Sequence, residues 1–347
     1  MTTTLAGKDE QTSLHHSGKR FCDNGNLARG CAGVGAAAWA AVAIAARIGI
    51  VRIGAIELIF LFGPLVIVPL GMELARVMSL AAREEWGGAE FVMQMAQPFG
   101  AACAVIGFLL PPGRVAGLLA CGWLVVCLLA GGIGVLDAAT SWSDARGGAR
   151  ATWFSLAMLA ARMDLVVGGG WLVASRLGMR PLGIQEPIGL LTAVHFHFAG
   201  FATAMIAAAM LRFEDSHVYS PSLNWIVPFV IGMPYVVAIG FVVSGVLKMV
   251  AAVIFSLSVA VLAVLLRSFG KRARQPEARV LLQVAAGAVF AGIVLSSVYA
   301  VLDFRGSDVL TIPQMARTHG ILNSVGFCMS ALLGWVIEFD ARSNDKT

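Results

Sequence analysis

Two histidines stand inside an otherwise apolar stretch, LLTAVHFHFAGF, at positions 195 and 197. An imidazole that takes and gives a proton near neutral pH serves as a general base, a relay or a metal ligand. Inside a membrane span such a group costs about 2.5–3.5 kcal/mol on insertion scales, so its presence there marks function by default. Residues two apart on a regular helix point about 200° away from each other, so the pair does not clasp one ion unless the helix is broken. Thr192 shares a face with His195, and Gly200 offers a place for another helix to come close. The competing reading is that one or both histidines hydrogen-bond a neighbouring helix and do nothing more.

A second polar group opens the last apolar block, in the run PQMARTHGILNSVGF from Pro313 to Phe327. His319, Asn323 and Ser330 fall on one helical face, while Thr318 is placed to cap the helix and Arg317 to anchor it at the interface. Glu57, Asp164, Tyr299 and Asp303 are expected in the same half of the bilayer. Arg162 lies two residues from Asp164 and therefore on the opposite side of a helix, which leaves Asp164 in need of another partner. His195 stands at matching depth, and an Asp that accepts a His ring proton is the usual support of a general base. The expected catalytic set is thus His195, Asp164, His319, Asn323, Glu57 and Asp303. His197, Thr192, Glu186, Tyr299, Thr318 and Arg317 are expected to bind substrate. Glu73, Asp137, Glu338 and Asp340 read as interfacial acids of the other side.

These residues need elements to hold them, and composition names the solvent. Of 347 residues, 58% are hydrophobic and only 13% charged, against about 25% charged in an average soluble domain. That excludes an ordinary soluble enzyme. The apolar blocks run approximately 31 to 50, 53 to 72, 94 to 111, 115 to 137, 151 to 175, 186 to 211, 224 to 246, 249 to 266, 280 to 301 and 319 to 338. Each is long enough at about 1.5 Å per residue to cross about 30 Å of hydrocarbon. The expected fold is therefore all-α, a polytopic bundle of about ten spans. A polar, disordered tail over 1–30, one membrane domain over 31–340 and a short tail over 341–347 complete the organisation. The seventh and eighth blocks are the least clearly separated, since only Lys248 interrupts a long apolar run.

With the N-terminus inside, sixteen Lys and Arg fall on the inner side and eight on the outer, so both termini are expected in the cytoplasm of a cell-membrane protein, as in a bacterial inner membrane. His195 then lies about 15 Å from the outer end near Glu186. The net charge of +5 fits cytoplasmic loops, and no nucleic-acid-binding pattern occurs. The six cysteines, at 22, 31, 103, 121, 127 and 328, form no CxxC pair, and only Cys22 and Cys31 flank a common polar stretch. There is no GxxxxGK[ST] loop, no repeat of 20 to 50 residues and no pair of interrupted helices in matching halves.

The segments WLVASRLGMRPLGIQEPIGLLTAVHFHFAGF (171–201) and RTHGILNSVGF (317–327) resemble the YndJ-like bacterial integral membrane proteins, with a weaker likeness in IFLFGPLVIVPLGMEL (59–74). The likeness spans most of the chain after residue 50. It implies a polytopic bundle and points to Glu186, Thr192, His195, His197, Thr318, His319 and Asn323. It brings no mechanism with it.

Three functional classes compete. The first is a cofactor-independent intramembrane enzyme, an isomerase or cyclase, that acts on a lipophilic small molecule through buried His, Asp and Glu. The second is a transporter of protons or a small solute through the same residues, against which the lack of repeats and of broken helices counts. The third is a metal or haem protein ligated by His319 with His195 or His197, against which a depth difference of about 12 Å counts. A structural or assembly role stands behind all three. The expected partners are the lipophilic substrate and membrane lipid, with no nucleic acid. If the two motifs form one site, His195 and Asn323 share a cavity between helices packed at about 8–10 Å, with Asp164, Glu57 or Asp303 in it.

Overall fold

The computed structural model describes residues 27–81, 87–143, 148–213, 221–307 and 309–344. The expected tail, with Cys22, lies outside the described residues up to position 26, as do Arg83, Arg146 and the last three residues. Among the described residues, ten helices are long and apolar enough to cross a membrane: α1 (Leu27–Arg47), α2 (Ala55–Ser79), α3 (Gly88–Leu109), α4 (Arg114–Ser141), α5 (Gly148–Leu177), α6 (Ile188–Arg212), α7 (Pro221–Val243), α8 (Gly245–Gly270), α9 (Pro276–Phe304) and α10 (Ile312–Asn344). No strand occurs among the described residues.

Local chemistry sets the breaks. Between α7 and α8 the chain turns at Ser244, extended at φ −165° and ψ 131°, whose hydroxyl accepts the Leu247 amide at 3.5 Å. The break thus precedes Lys248 by one helical turn. At the end of α5 the left-handed Gly178 (φ 71°) lets Met179 N–H reach the Ala174 carbonyl at 2.9 Å and its own N–H reach Ser175 at 3.1 Å. This is a Schellman stop, which a Cβ would strain. At the start of α10, Thr311 and Gln314 form a reciprocal capping box. Thr318 is therefore not the cap: its hydroxyl bonds back to the Gln314 carbonyl at 2.8 Å inside the helix. Helix α10 begins seven residues before the apolar block because Pro313 and the capping box start it among polar residues.

Helices α3, α4 and α5 pack in series on one flank, and α7, α8 and α9 do so on the other. Between them lie α2, α6 and α10, with α1 against α2. The central place of α6 follows from its composition. Apolar side chains gain little from leaving lipid for protein, so membrane helices associate where small residues let backbones approach. The run Ala202–Ala209 is small at most positions and buried at every one. Within α6, 89% of the apolar window is buried, more than in any other of the ten helices.

The end where α1 starts and α10 finishes is clasped by charge. Arg29 bridges Glu73 at 2.7 Å and Asp340 at 2.8 Å, and Arg76 binds Glu73 at 2.7 Å. Glu338 accepts the Arg274 amide at 2.8 Å and Arg342 Nε at 3.0 Å. Glu73 and Glu338 are fully buried; the Arg29 and Arg76 guanidinium groups around the first, and the Arg274 amide and Arg342 guanidinium around the second, substitute for water. Arg162 is likewise buried and reaches across to Asp137 and, at 3.9 Å, Glu90. Beside the clasp, Phe213 meets Phe269, Trp335 and Phe339 edge to face, and Trp335 meets Phe269 in the same way. This end is closed by side chains; the opposite end is called distal below.

Candidate functional site

The histidine motifs sit where three helices depart from α geometry. Wide π-helical turns occupy Gly63–Ile67 in α2, Phe196–Ala202 in α6, and Ala316–Gly320 and Leu322–Met329 in α10. The segments Gly63–Ile67, Phe196–Ala202 and Leu322–Met329 all approach one another within 8 Å between Cα atoms. The three spans remain continuous helices through these turns. A π-turn shifts hydrogen bonds from i→i+4 to i→i+5, and such turns gather at functional sites.

His197 is fully buried at this junction. Its Nδ1 lies 2.8 Å from the Ala193 carbonyl, and its Nε2 accepts the Trp123 indole N–H at 3.0 Å. A carbonyl only accepts and an indole only donates, so the ring is neutral with its proton on Nδ1, and both nitrogens are engaged. Phe60 meets the ring edge-on at 5.0 Å. Gly63 and Gly168 form the walls: a Cβ at Gly168 would stand 2.6 Å from Nδ1.

His195 closes the regular part of α6 and faces elsewhere. Its Nδ1 lies 2.7 Å from the Leu191 carbonyl, so this ring too carries its proton on Nδ1. Its surface is exposed, and His319 lies within electrostatic reach, so the space between the two rings is the candidate recess. Ile188, Leu191, Thr192 and Ala199 continue a partly exposed stripe along α6, with Thr192 bonded to the Ile188 carbonyl at 2.9 Å. The expected support of His195 by Asp164 is not formed. The helix's own carbonyl four residues back is the nearer acceptor.

Across the recess, His319 Nδ1 lies 2.9 Å from the Gly292 carbonyl of α9. The Asn323 amide nitrogen is 2.9 Å from the His319 carbonyl and 3.2 Å from Nε2. Gly292 makes room, since a Cβ there would stand 2.8 Å from the Asn323 amide. Ser330 bonds to the Val325 carbonyl at 3.2 Å. Helices α6 and α10 thus meet directly, with Cys328 Sγ 3.9 Å from the Phe198 carbonyl.

The acids divide among three places. Asp164 is fully buried, packed on Gly200, and neither carboxylate oxygen has a hydrogen-bond partner among the described residues. Asp303 is bound by Lys248 at 2.6 Å at the distal end of α8 and α9, with Tyr299 beside it. That ion pair takes Asp303 out of the histidine group. Glu57 and Glu186 occupy the distal starts of α2 and α6, where both lie within electrostatic reach of Arg176. Glu186 also accepts the Leu190 amide at 3.2 Å. Arg317 and Thr318 are exposed at the distal start of α10.

Sequence reasoning missed Trp123, Arg176 and Tyr235. Tyr235 was legible as a hydroxyl among apolar residues, preceded by Pro234 in α7; its ring meets Phe196 edge-on at 5.2 Å. A separate cavity of about 20 Å³, lined by Gly71, Arg162, Phe201 and Met205 among others, lies between the α2–α5 flank and α6. It has room for about one water and contains none of the three membrane histidines. Among the described residues no three His, Cys, Asp or Glu side chains are grouped to hold a metal ion.

Comparison with known proteins adds a family. The pattern of the YndJ-like proteins matches residues 58–327, which take in both histidine motifs and the wide turns except the last two residues of Leu322–Met329. An uncharacterized membrane protein YndJ of Bacillus subtilis (strain 168) is 31% identical over 185 residues, 52% of this chain. The match covers 33% of that relative's own length. No solved structure matches.

Proposed function

The chain belongs to the YndJ-like protein family of membrane proteins, and from the geometry of its core we propose that it is an acid–base catalyst acting on a lipophilic small molecule within the cell membrane. One observation carries this reading: His195 Nδ1 is bonded to its own helix and no residue among those described bonds its Nε2, whereas the nitrogens of His197 and His319 are engaged. A base needs a free lone pair within reach of its substrate. His195 Nε2 removes a proton from the substrate, becomes an imidazolium, and returns the proton at a different atom. The product is an isomer, and no oxidant or cofactor is required. His319 and Asn323 line the recess opposite, Thr192 flanks the base, and Glu57, Glu186 and Arg176 stand at the distal starts of the surrounding helices. Asp303, held by Lys248, has no part in the step.

The test is deuterium uptake. Purified protein in lipid nanodiscs, incubated in D2O with a total lipid extract, is expected to introduce deuterium into one lipophilic component, and His195→Ala to lose that exchange. Absence of exchange with the wild-type protein over the whole extract overturns the reading.

A second reading, proton or solute transport, draws on the mutual packing of wide turns in α2, α6 and α10. Helices that depart from α geometry at one level are suited to change shape there. Proteoliposomes loaded with a pH-sensitive dye distinguish the two, because only transport moves protons across a sealed bilayer.

A further inference from the structure

Asp164 is a fully buried acid that the acid–base reading leaves without a task. It lies halfway along α5 with no exposure, and both carboxylate oxygens lack a hydrogen-bond partner among the described residues. Gly200, in the wide turn of α6, lies directly on it: a Cβ there would stand 2.6 Å from the carboxyl carbon and 2.7 Å from Oδ2. The missing side chain is thus the space the carboxyl fills.

The groups that would balance a negative charge are committed elsewhere. Arg162, on the same helix, binds Asp137 of α4 and reaches Glu90 of α3. On α6, the ring protons of His195 and His197 are directed at carbonyls of their own helix. On α4, Cys127 is a buried thiol that packs on Gly169. From α7, the Tyr235 hydroxyl is the polar group near Asp164, close enough to interact with it but outside hydrogen-bond geometry. An ionised carboxylate without a donor or counter-ion in a dry interior is so unfavourable that the group takes up a proton instead.

We propose that Asp164 is a proton-binding site, a carboxyl held neutral against the wide turn of α6, with the Tyr235 hydroxyl as the group through which its proton is exchanged. The bound species is H⁺ alone, so binding converts COO⁻ to COOH and release reverses it. Tyr235 leads outward, since its ring is half-buried and packs on Phe196, the neighbour of His195. The proposal does not depend on what the recess binds.

Infrared spectroscopy of the full chain in nanodiscs tests it. At neutral pH the wild-type minus Asp164→Asn difference is expected to show a protonated-carboxyl C=O band, shifted in frequency by Tyr235→Phe. Asp164→Asn, which imitates the neutral acid, is expected to melt within a few degrees of wild type. A difference spectrum with carboxylate bands only overturns the proposal. An unmoved band in Tyr235→Phe removes Tyr235 from it. If Asp164→Asn does not accumulate, wild-type protein labelled with carboxyl-¹³C aspartate is compared with Asp164→Glu, and the absence of a labelled COOH signal that Asp164→Glu abolishes is the overturning result. Loss of deuterium exchange in His195→Ala leaves this band in place, so failure of one reading is distinguishable from failure of the other.

Discussion

The Trp123 indole donates its N–H to His197 Nε2 at 3.0 Å, and the two rings lie nearly parallel with centroids 5.9 Å apart. One hydrogen bond and one stack therefore join α4 to the wide turn of α6. Trp123→Phe keeps an aromatic ring but leaves a buried acceptor unmet, at a cost of about 1–3 kcal/mol. His197→Ala adds a cavity between Phe60 and Gly168 and is expected to cost about 2–5 kcal/mol. Reversible unfolding in mixed micelles measures both. A His197→Ala protein as stable as wild type would remove this junction from the account of the core.

His195 is expected to behave in the opposite way. Its ring is exposed and bonded only to its own helix, so His195→Ala should change stability by no more than about 1 kcal/mol. Deuterium exchange should fall by about 10²-fold or more, the usual contribution of a positioned base. Equal loss of stability and exchange at 195 and 197 would mean that the two residues do not have separate tasks.

The contrast between these histidines was half legible in the sequence. The two-residue spacing gave their divergence, and the depth of LLTAVHFHFAGF gave their place in the bilayer. Which of them is free was not legible, because that depends on Trp123, seventy-four positions away, and on glycines 63 and 168 from two other helices. The ten spans were legible from length and hydropathy, and α6 meets α10 as the paired motifs suggested. The wide turns were not, since the residues in them, Gly63-Pro64, Gly200, Gly320 and Gly326 included, stand equally well in ordinary membrane helices. The partner of Asp303 was hidden for a similar reason: Lys248, which holds it, read as a mere interruption between two spans.

The contact of α9 with α10 rests on Gly292. Its carbonyl faces His319, and the position of its absent Cβ is filled by the Asn323 amide. Gly292→Ala is expected to push Asn323 off His319 and to destabilise the protein by about 1–3 kcal/mol, as overpacking does. Asn323→Ala in the same background should relieve part of that cost. A double-mutant cycle without coupling would show that the three residues do not act together.

The charged clasp at the other end makes a sharper demand. Glu73 is fully buried and receives Arg29 and Arg76 together. Glu73→Ala leaves both guanidinium groups without their carboxylate and is expected to cost about 3–5 kcal/mol, as breaking a buried pair commonly does. Arg29, which is 36% exposed, should cost less when truncated, because Arg76 still covers the acid. An Arg29→Ala loss equal to that of Glu73→Ala would place the weight on the Asp340 bridge instead.

The orientation of the molecule follows from its cations. Counted along the sequence, sixteen Lys and Arg in the alternate segments that include both termini against eight in the others predict a cytoplasmic clasp and a distal recess facing outward. A cysteine placed at Ser268 or Arg272, in a background freed of native cysteines, should resist membrane-impermeant reagents added to whole cells and react after permeabilisation. A cysteine at Arg317 should react before it, since that residue is exposed at the distal start of α10. The reverse pattern would turn the bundle over. The recess would then open on the cytoplasmic leaflet, and the lipid extract offered to the protein should be drawn from that side.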